Sequence, residues 1–197
     1  MLNVIIFIAA YLICSINPAI MISKKVIGTD IRKVGSGNAG TTNALRTMGK
    51  FWGAMVFILD AFKVVVAYWA MLLLTNIFGD GKTPSIESFY LVGSVIGHCY
   101  PIYYGFKGGK GVVAVIISCA FVVPKYVLVC LIVGIIIIIV SRMVSLGSVS
   151  AVALFAIMVL VMNPKYAVGV LIIASVIIYK HRANIKRIIN KEENKLF

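Results

Sequence analysis

The chain has 197 residues, of which 61% are hydrophobic and 13% charged, with a mean hydropathy of +1.05; soluble domains carry about a quarter charged residues, so a soluble fold is excluded. The 19 Lys+Arg outnumber the 6 Asp+Glu to give a net charge of +13, an excess that in a soluble protein would point first to nucleic acid. Here that charge has to be placed on a membrane topology before it has meaning, and the expectation is an all-α polytopic membrane protein, a single integral membrane domain over 1–197, with no nucleic-acid partner.

The first apolar segment, about 2–22, lacks the basic leader of a signal peptide and a cleavage site, so it is read as a retained first span. The loop that follows, about 23–51, contains "GSGNAGTTNALR", Gly35 to Arg46, whose first six residues fit G-x-G-x-x-G. A dinucleotide site would need a strand before the glycines and a βαβ unit around them. Here the preceding segment is an apolar helix, and Asp60, twenty residues after Gly40, falls inside the next span. The dinucleotide reading fails on context, but its physics survives. Gly35, Gly37 and Gly40 let backbone approach an anion closely; Ser36, Asn38, Thr41, Thr42 and Asn43 add polar groups, and Arg46 adds a guanidinium fork suited to phosphate.

The second span, about 52–77, carries Asp60 and Lys63 at i,i+3, read as a helix-face pair that is structural or lines a polar cavity. After an outer turn over 78–87, the third span, about 88–104, contains His98 near its inner end. "FKGGKG" over 106–111 approximates a phosphate-binding P-loop but has Gly111 where Ser or Thr would hold magnesium, so nucleoside-triphosphate hydrolysis is not expected. The loop 105–111 instead offers Lys107 and Lys110 on the flexible frame of Gly108 and Gly109. The apolar stretch 112–140 is split at Pro124, where the missing N–H breaks the helix, into spans of about 112–123 and 126–140. A short loop, 141–146, contributes Arg142 and Ser145; spans of about 147–162 and 166–180 follow, and the basic tail 181–197 opens with His181 and Asn184, three residues apart and so on one helix face.

Seven spans with the N-terminus outside put fifteen of the 19 positive residues on the inner face, leaving Lys82, Lys125 and Lys165 outside and Lys63 within a span. The predicted topology is therefore N-out and C-in, with chemistry on the cytoplasmic side. Cys14, Cys99, Cys119 and Cys130 sit in or beside apolar segments without C-x-x-C spacing and read as small core residues. The inner loops hold almost no carboxylates, so neither a metal site nor a cofactor is expected. The inventory suits one or two phosphate-bearing substrates.

"GSGNAGTTNALR", "GHCYPIYYGFKGGKGV" and "HRANIKR", in this order on the inner loops of a seven-span chain, resemble the bacterial acyl-phosphate:glycerol-3-phosphate acyltransferase family of the PlsY type. The resemblance implies transfer of a fatty acyl group from acyl phosphate to the 1-hydroxyl of glycerol 3-phosphate, giving lysophosphatidic acid, in a bacterial plasma membrane. It places the family's motif residues on Ser36, Arg46, Lys110, His181 and Asn184, with His98 and Lys107 near the second motif and the tail glutamate on Glu193 in a structural role. Thr41 stands where the family commonly has Ala, and "NKEEN" stands where it usually has a Gly-Thr-Glu run. Ser36, Lys110, His181 and Asn184 are expected to be catalytic. Lys110 and the Gly35–Thr42 loop would hold the acyl-phosphate head, and Arg46 with Asn184 the glycerol phosphate. The proton of the attacking hydroxyl would go to His181 or to a substrate phosphate, and Ser36 is read as a hydrogen-bond donor rather than an acylated nucleophile. An organic-phosphate transporter and a basic membrane scaffold are the alternatives, distinguishable by assay.

Overall fold

The computed structural model describes residues 1–79 and 81–195; Asp80, in the expected outer turn, and Leu196 and Phe197, at the end of the expected tail, lie outside them. Among the described residues there are ten α-helices, three short 3-10 turns and no strand. The helices are α1 (Leu2–Cys14), α2 (Pro18–Val26), α3 (Thr41–Met48), α4 (Lys50–Phe78), α5 (Pro84–Cys99), α6 (Val112–Val122), α7 (Pro124–Ser141), α8 (Val144–Met162), α9 (Ala167–Lys180) and α10 (Arg182–Ile189). They fall into two compact units, Met1–Ser118 and Cys119–Phe197, divided within α6.

Each of the seven expected apolar segments holds a helix, with two adjustments made by proline. The first breaks at 15–17 because Pro18 cannot extend the hydrogen-bond ladder; it starts α2, and the side chain of Asn17 caps that helix by accepting from the Ile20 N–H at 3.1 Å. The third ends at Cys99, two residues before Pro101, and continues as a 3-10 turn over Ile102–Tyr104. Pro124 does separate α6 from α7, as its place in the sequence predicts.

Four stretches are long and apolar enough to cross a bilayer: Leu2–Val26, Lys50–Phe78, Pro124–Ser141 and Val144–Met162. The pair Pro164–Lys180 and Arg182–Ile189, bent by 57°, makes a fifth if it counts as one span, and Val112–Val122 is apolar but shorter.

In the first unit α1 packs on α4 and α5, and α3 on α4. The α1–α5 contact is close because Gly93 and Gly97, a small-xxx-small pair, face the backbone of α1: a methyl at either position would collide with α1, at Phe7 O for Gly93 and Tyr11 O for Gly97. Helix α4 is apolar on its exposed face, where Ile58, Phe62, Trp69, Leu73 and Ile77 lie, and carries Asp60, Lys63 and Thr75 on its buried face. That reversal of soluble amphipathicity suits a lipid-facing surface around a polar interior. In the second unit α8 packs between α7 and α9, and α10 rests on α8 and α9.

Candidate active site

The first-motif loop stands on a small core of Ala19, Ile20, Ile31, Ala39, Ala44 and Val56. Asp30 begins a 3-10 turn over Ile31–Lys33 by accepting from the Arg32 N–H, and the Ile31 N–H donates to Ser23 Oγ at 3.0 Å, tying the loop to α2. Arg32 then binds both carboxylate oxygens of Asp30 and donates through Nη1 to the carbonyls of Tyr104 (2.8 Å) and Lys107 (3.0 Å). Hydrogen bonds from Arg32 outweigh partial burial and hold the Asp30 carboxyl below its ordinary range. One guanidinium therefore ties the first glycine loop to the second.

Asn43, 1% exposed, shapes the turn from beneath. Its amide nitrogen donates to the carbonyls of Ile31 (3.1 Å) and Val34 (3.0 Å), and its oxygen accepts the Ser36 N–H at 2.8 Å. Gly35, at φ +58, has no room for a side chain, since a Cβ there would strike Asn43 Oδ1. Asn43, one of the loop's polar groups, thus spends both amide hydrogens on loop carbonyls. The N–H groups of Gly37 and Gly40 also bond within the loop, to Val34 O and Asn38 O. At the start of α3, Gly40 is the N-cap with no side-chain cap, and Thr41 Oγ1 is a buried hydroxyl without a hydrogen-bond partner among the described residues. Ser36, Gly37 and Arg46 are exposed, and Asn38 and Thr42 half-buried.

The second loop is folded onto the end of α5. The N–H groups of Gly108 and Gly109 donate to the carbonyls of Cys99 and His98, both at 3.2 Å. Gly109 has no space for a Cβ, which would meet His98 Nε2 and lie 2.8 Å from the carbonyl of Ala39. The second loop thus abuts the residue before Gly40, and Lys110, half-buried, follows directly; Lys107 is exposed. Buried beneath, His98 Nδ1 lies 3.4 Å from Asp60 Oδ1, which is 2.7 Å from Lys63 Nζ. The expected i,i+3 pair is therefore present, with His98 as a third member that sequence spacing did not suggest.

In the second unit, His181 lies at the bend between α9 and α10, 2% exposed. Its Nδ1 is 2.8 Å from the Ile177 carbonyl. A carbonyl only accepts, so Nδ1 donates this hydrogen bond. Glu193 gathers the neighbouring groups: Oε1 accepts from Ser145 Oγ (2.7 Å) and Asn184 Nδ2 (2.6 Å), and Oε2 from Arg187 Nε (2.7 Å). Burial opposes its ionisation, but these three donors prevail and its carboxyl titrates below the ordinary range. Ser145 and Asn184 are thereby brought together. Among the described residues no three His, Cys, Asp or Glu form a group able to hold a metal.

A family model described as glycerol-3-phosphate acyltransferase matches residues 4–191. The glycerol-3-phosphate acyltransferase of Clostridioides difficile is 39% identical over 196 residues, covering 98% of this chain and 95% of its own length. That of Aquifex aeolicus is 38% identical over 192 residues, with coverage of 95% and 96%. The crystal structure of PlsY (YgiH), an integral membrane glycerol 3-phosphate acyltransferase, in its glycerol 3-phosphate form, superposes with a TM-score of 0.86 at 34% identity, covering 99% of this chain and 96% of that one. The lysophosphatidic acid form of PlsY gives 0.83 at 32% identity. With the fold and the sequence matched over nearly the whole chain, the protein belongs to the membrane glycerol-3-phosphate acyltransferase family of the PlsY type.

Proposed function

We propose that the protein transfers a fatty acyl group from acyl phosphate to the 1-hydroxyl of glycerol 3-phosphate, releasing inorganic phosphate and lysophosphatidic acid on the cytoplasmic face of a bacterial plasma membrane. The observation that carries this reading is the joining of two glycine loops at Ala39 and Gly109, which sets Lys110 near an uncapped helix start with a buried, unpartnered Thr41 hydroxyl. A helix N-terminus and a lysine together suit the head of an acyl phosphate. The relatives' names and the two liganded forms of PlsY support glycerol 3-phosphate as acceptor and lysophosphatidic acid as product. The acyl-phosphate donor is our extension, supported by this cationic, carboxylate-poor cradle. The seven-span, N-out and C-in topology is retained as the arrangement that best fits the positive charge.

In the reaction the 1-hydroxyl attacks the acyl carbonyl, the carbonyl–phosphate C–O bond breaks, and phosphate leaves with its charge spread over the cradle. The donor is already activated, so the residues chiefly position substrates and stabilise charge. Lys110 and the uncapped start of α3 at Thr41 and Thr42 hold the phosphate, Ser36 donates a hydrogen bond to it, and Gly37, Asn38, Gly108 and Gly109 supply the backbone path. In the first unit Arg46 and Lys107, both exposed, are assigned to the glycerol phosphate; in the second, Asn184, placed by Glu193 beside Ser145, keeps the substrate role that the family resemblance gives it. The hydroxyl proton passes to His181 or to a substrate phosphate. Replacing Ser36, Lys110 or His181 by Ala is expected to lower turnover about a hundredfold while each variant still inserts into the membrane. Near-normal turnover in all three variants would show that the site is misplaced.

A further inference from the structure

The first unit contains a buried charge cluster that no step of this reaction uses. Asp60 and Lys63 lie one turn apart on α4, His98 stands near the end of α5, and the three are 1%, 5% and 4% exposed. A buried ion pair is often no more stabilising than apolar residues of the same volume, so stability alone does not account for the cluster. Its contacts run in two directions. Lys63 Nζ donates to the carbonyl of Ile16 at 2.7 Å, in the break between α1 and α2, and the next residue, Asn17, donates through Nδ2 to the carbonyl of Ala39 at 3.4 Å. On the other side, the His98 carbonyl accepts the Gly109 N–H at 3.2 Å, and its ring nitrogen Nε2 lies where a Cβ of Gly109 would be. Both branches end at Ala39, the residue before the N-cap of α3, with Gly109 packed against its carbonyl.

We propose that Asp60, Lys63 and His98 are positioning residues that clamp the Gly109–Lys110 backbone against Ala39, aligning Lys110 with the N-terminus of α3 for a phosphate-bearing substrate. Asp60 holds His98 from one side and Lys63 from the other, so neutralising the carboxylate releases the ring that seats Gly109. The inference rests on the cradle being the site for the acyl-phosphate head.

The test compares purified wild type with Asp60→Asn, His98→Asn and the double variant Asp60→Asn/Lys63→Met, measuring kcat and KM for acyl phosphate alongside thermal unfolding in detergent. The double variant removes both charges of the pair and so avoids an uncompensated buried lysine. Expected is a fall in kcat/KM of about tenfold to a hundredfold in every variant, carried mainly by KM for acyl phosphate, as small misplacements of a binding group produce. The double variant is expected to unfold within a few degrees of wild type. Wild-type kcat/KM in the double variant, or losses that only follow the amount of folded protein, would overturn the proposal. Calorimetric titration with inorganic phosphate separates this from failure of the enzyme reading: if wild type turns over no acyl phosphate, weaker phosphate binding by the double variant still supports the clamp, and unchanged binding overturns it.

Discussion

Asn43 makes three hydrogen bonds under the first loop, and the loop's usable donors depend on it. The sequence "GSGNAGTTNALR" points to an anion-binding loop by residue type, but it cannot say which donors the loop spends on itself. Those of Asn43, with the N–H groups of Ser36, Gly37 and Gly40, are spent within the loop, and the start of α3 is left without a side-chain cap. Arg32 was equally hidden, because its partners are the distant carbonyls of Tyr104 and Lys107 and its short-range pairing with Asp30 follows no helical spacing. Gly35→Ala is expected to destabilise the protein by about 2 kcal/mol or more, through the left-handed backbone at φ +58 and collision with Asn43. Asn43→Ala removes the same support from below and is expected to cost about 2–3 kcal/mol. Thermal unfolding in detergent checks both, and a wild-type midpoint for either would show that the loop has another support.

At the scale of elements, helix positions are legible where apolar runs and prolines set them locally, as at Pro124, whereas the break before Pro18 falls inside the first expected span and α5 begins at Pro84 within the expected outer turn. Close approach is less so: Gly93 and Gly97 are part of the plain run "GSVIG", and only the proximity of α1 shows why both must be small. The end of the chain is another case. The expected structural role of Glu193 takes form as a carboxylate that ties α10 to Ser145 on α8. Its carboxyl is held below the ordinary range, so it contributes stability above the unfolded carboxylate pKa and loses it as pH falls through the lower folded value. Glu193→Gln is therefore expected to be less stable than wild type by about 2 kcal/mol at pH 7, with the difference shrinking at acid pH below the usual carboxylate range. Unfolding midpoints taken across pH test this; a gap independent of pH would show that charge at Glu193 is not what holds α10.

For the whole molecule, composition alone establishes a helical membrane protein, since 61% hydrophobic residues leave no polar exterior for water. The number of crossings is harder to read, because helix length and hydropathy single out only four or five spans among the seven expected. Helix α6 is apolar but only 11 residues long, too short to count by length alone. In the proposed reaction a helix-start cradle with Lys110 serves a phosphate leaving group. Its most direct test supplies purified protein with labelled glycerol 3-phosphate and either acyl phosphate or acyl-CoA, without added metal, and measures labelled lysophosphatidic acid. Expected is product, with one inorganic phosphate released per acyl group, from acyl phosphate and none from acyl-CoA. Product from acyl-CoA alone, or no turnover of any acyl phosphate while glycerol 3-phosphate crosses proteoliposomes, would contradict it.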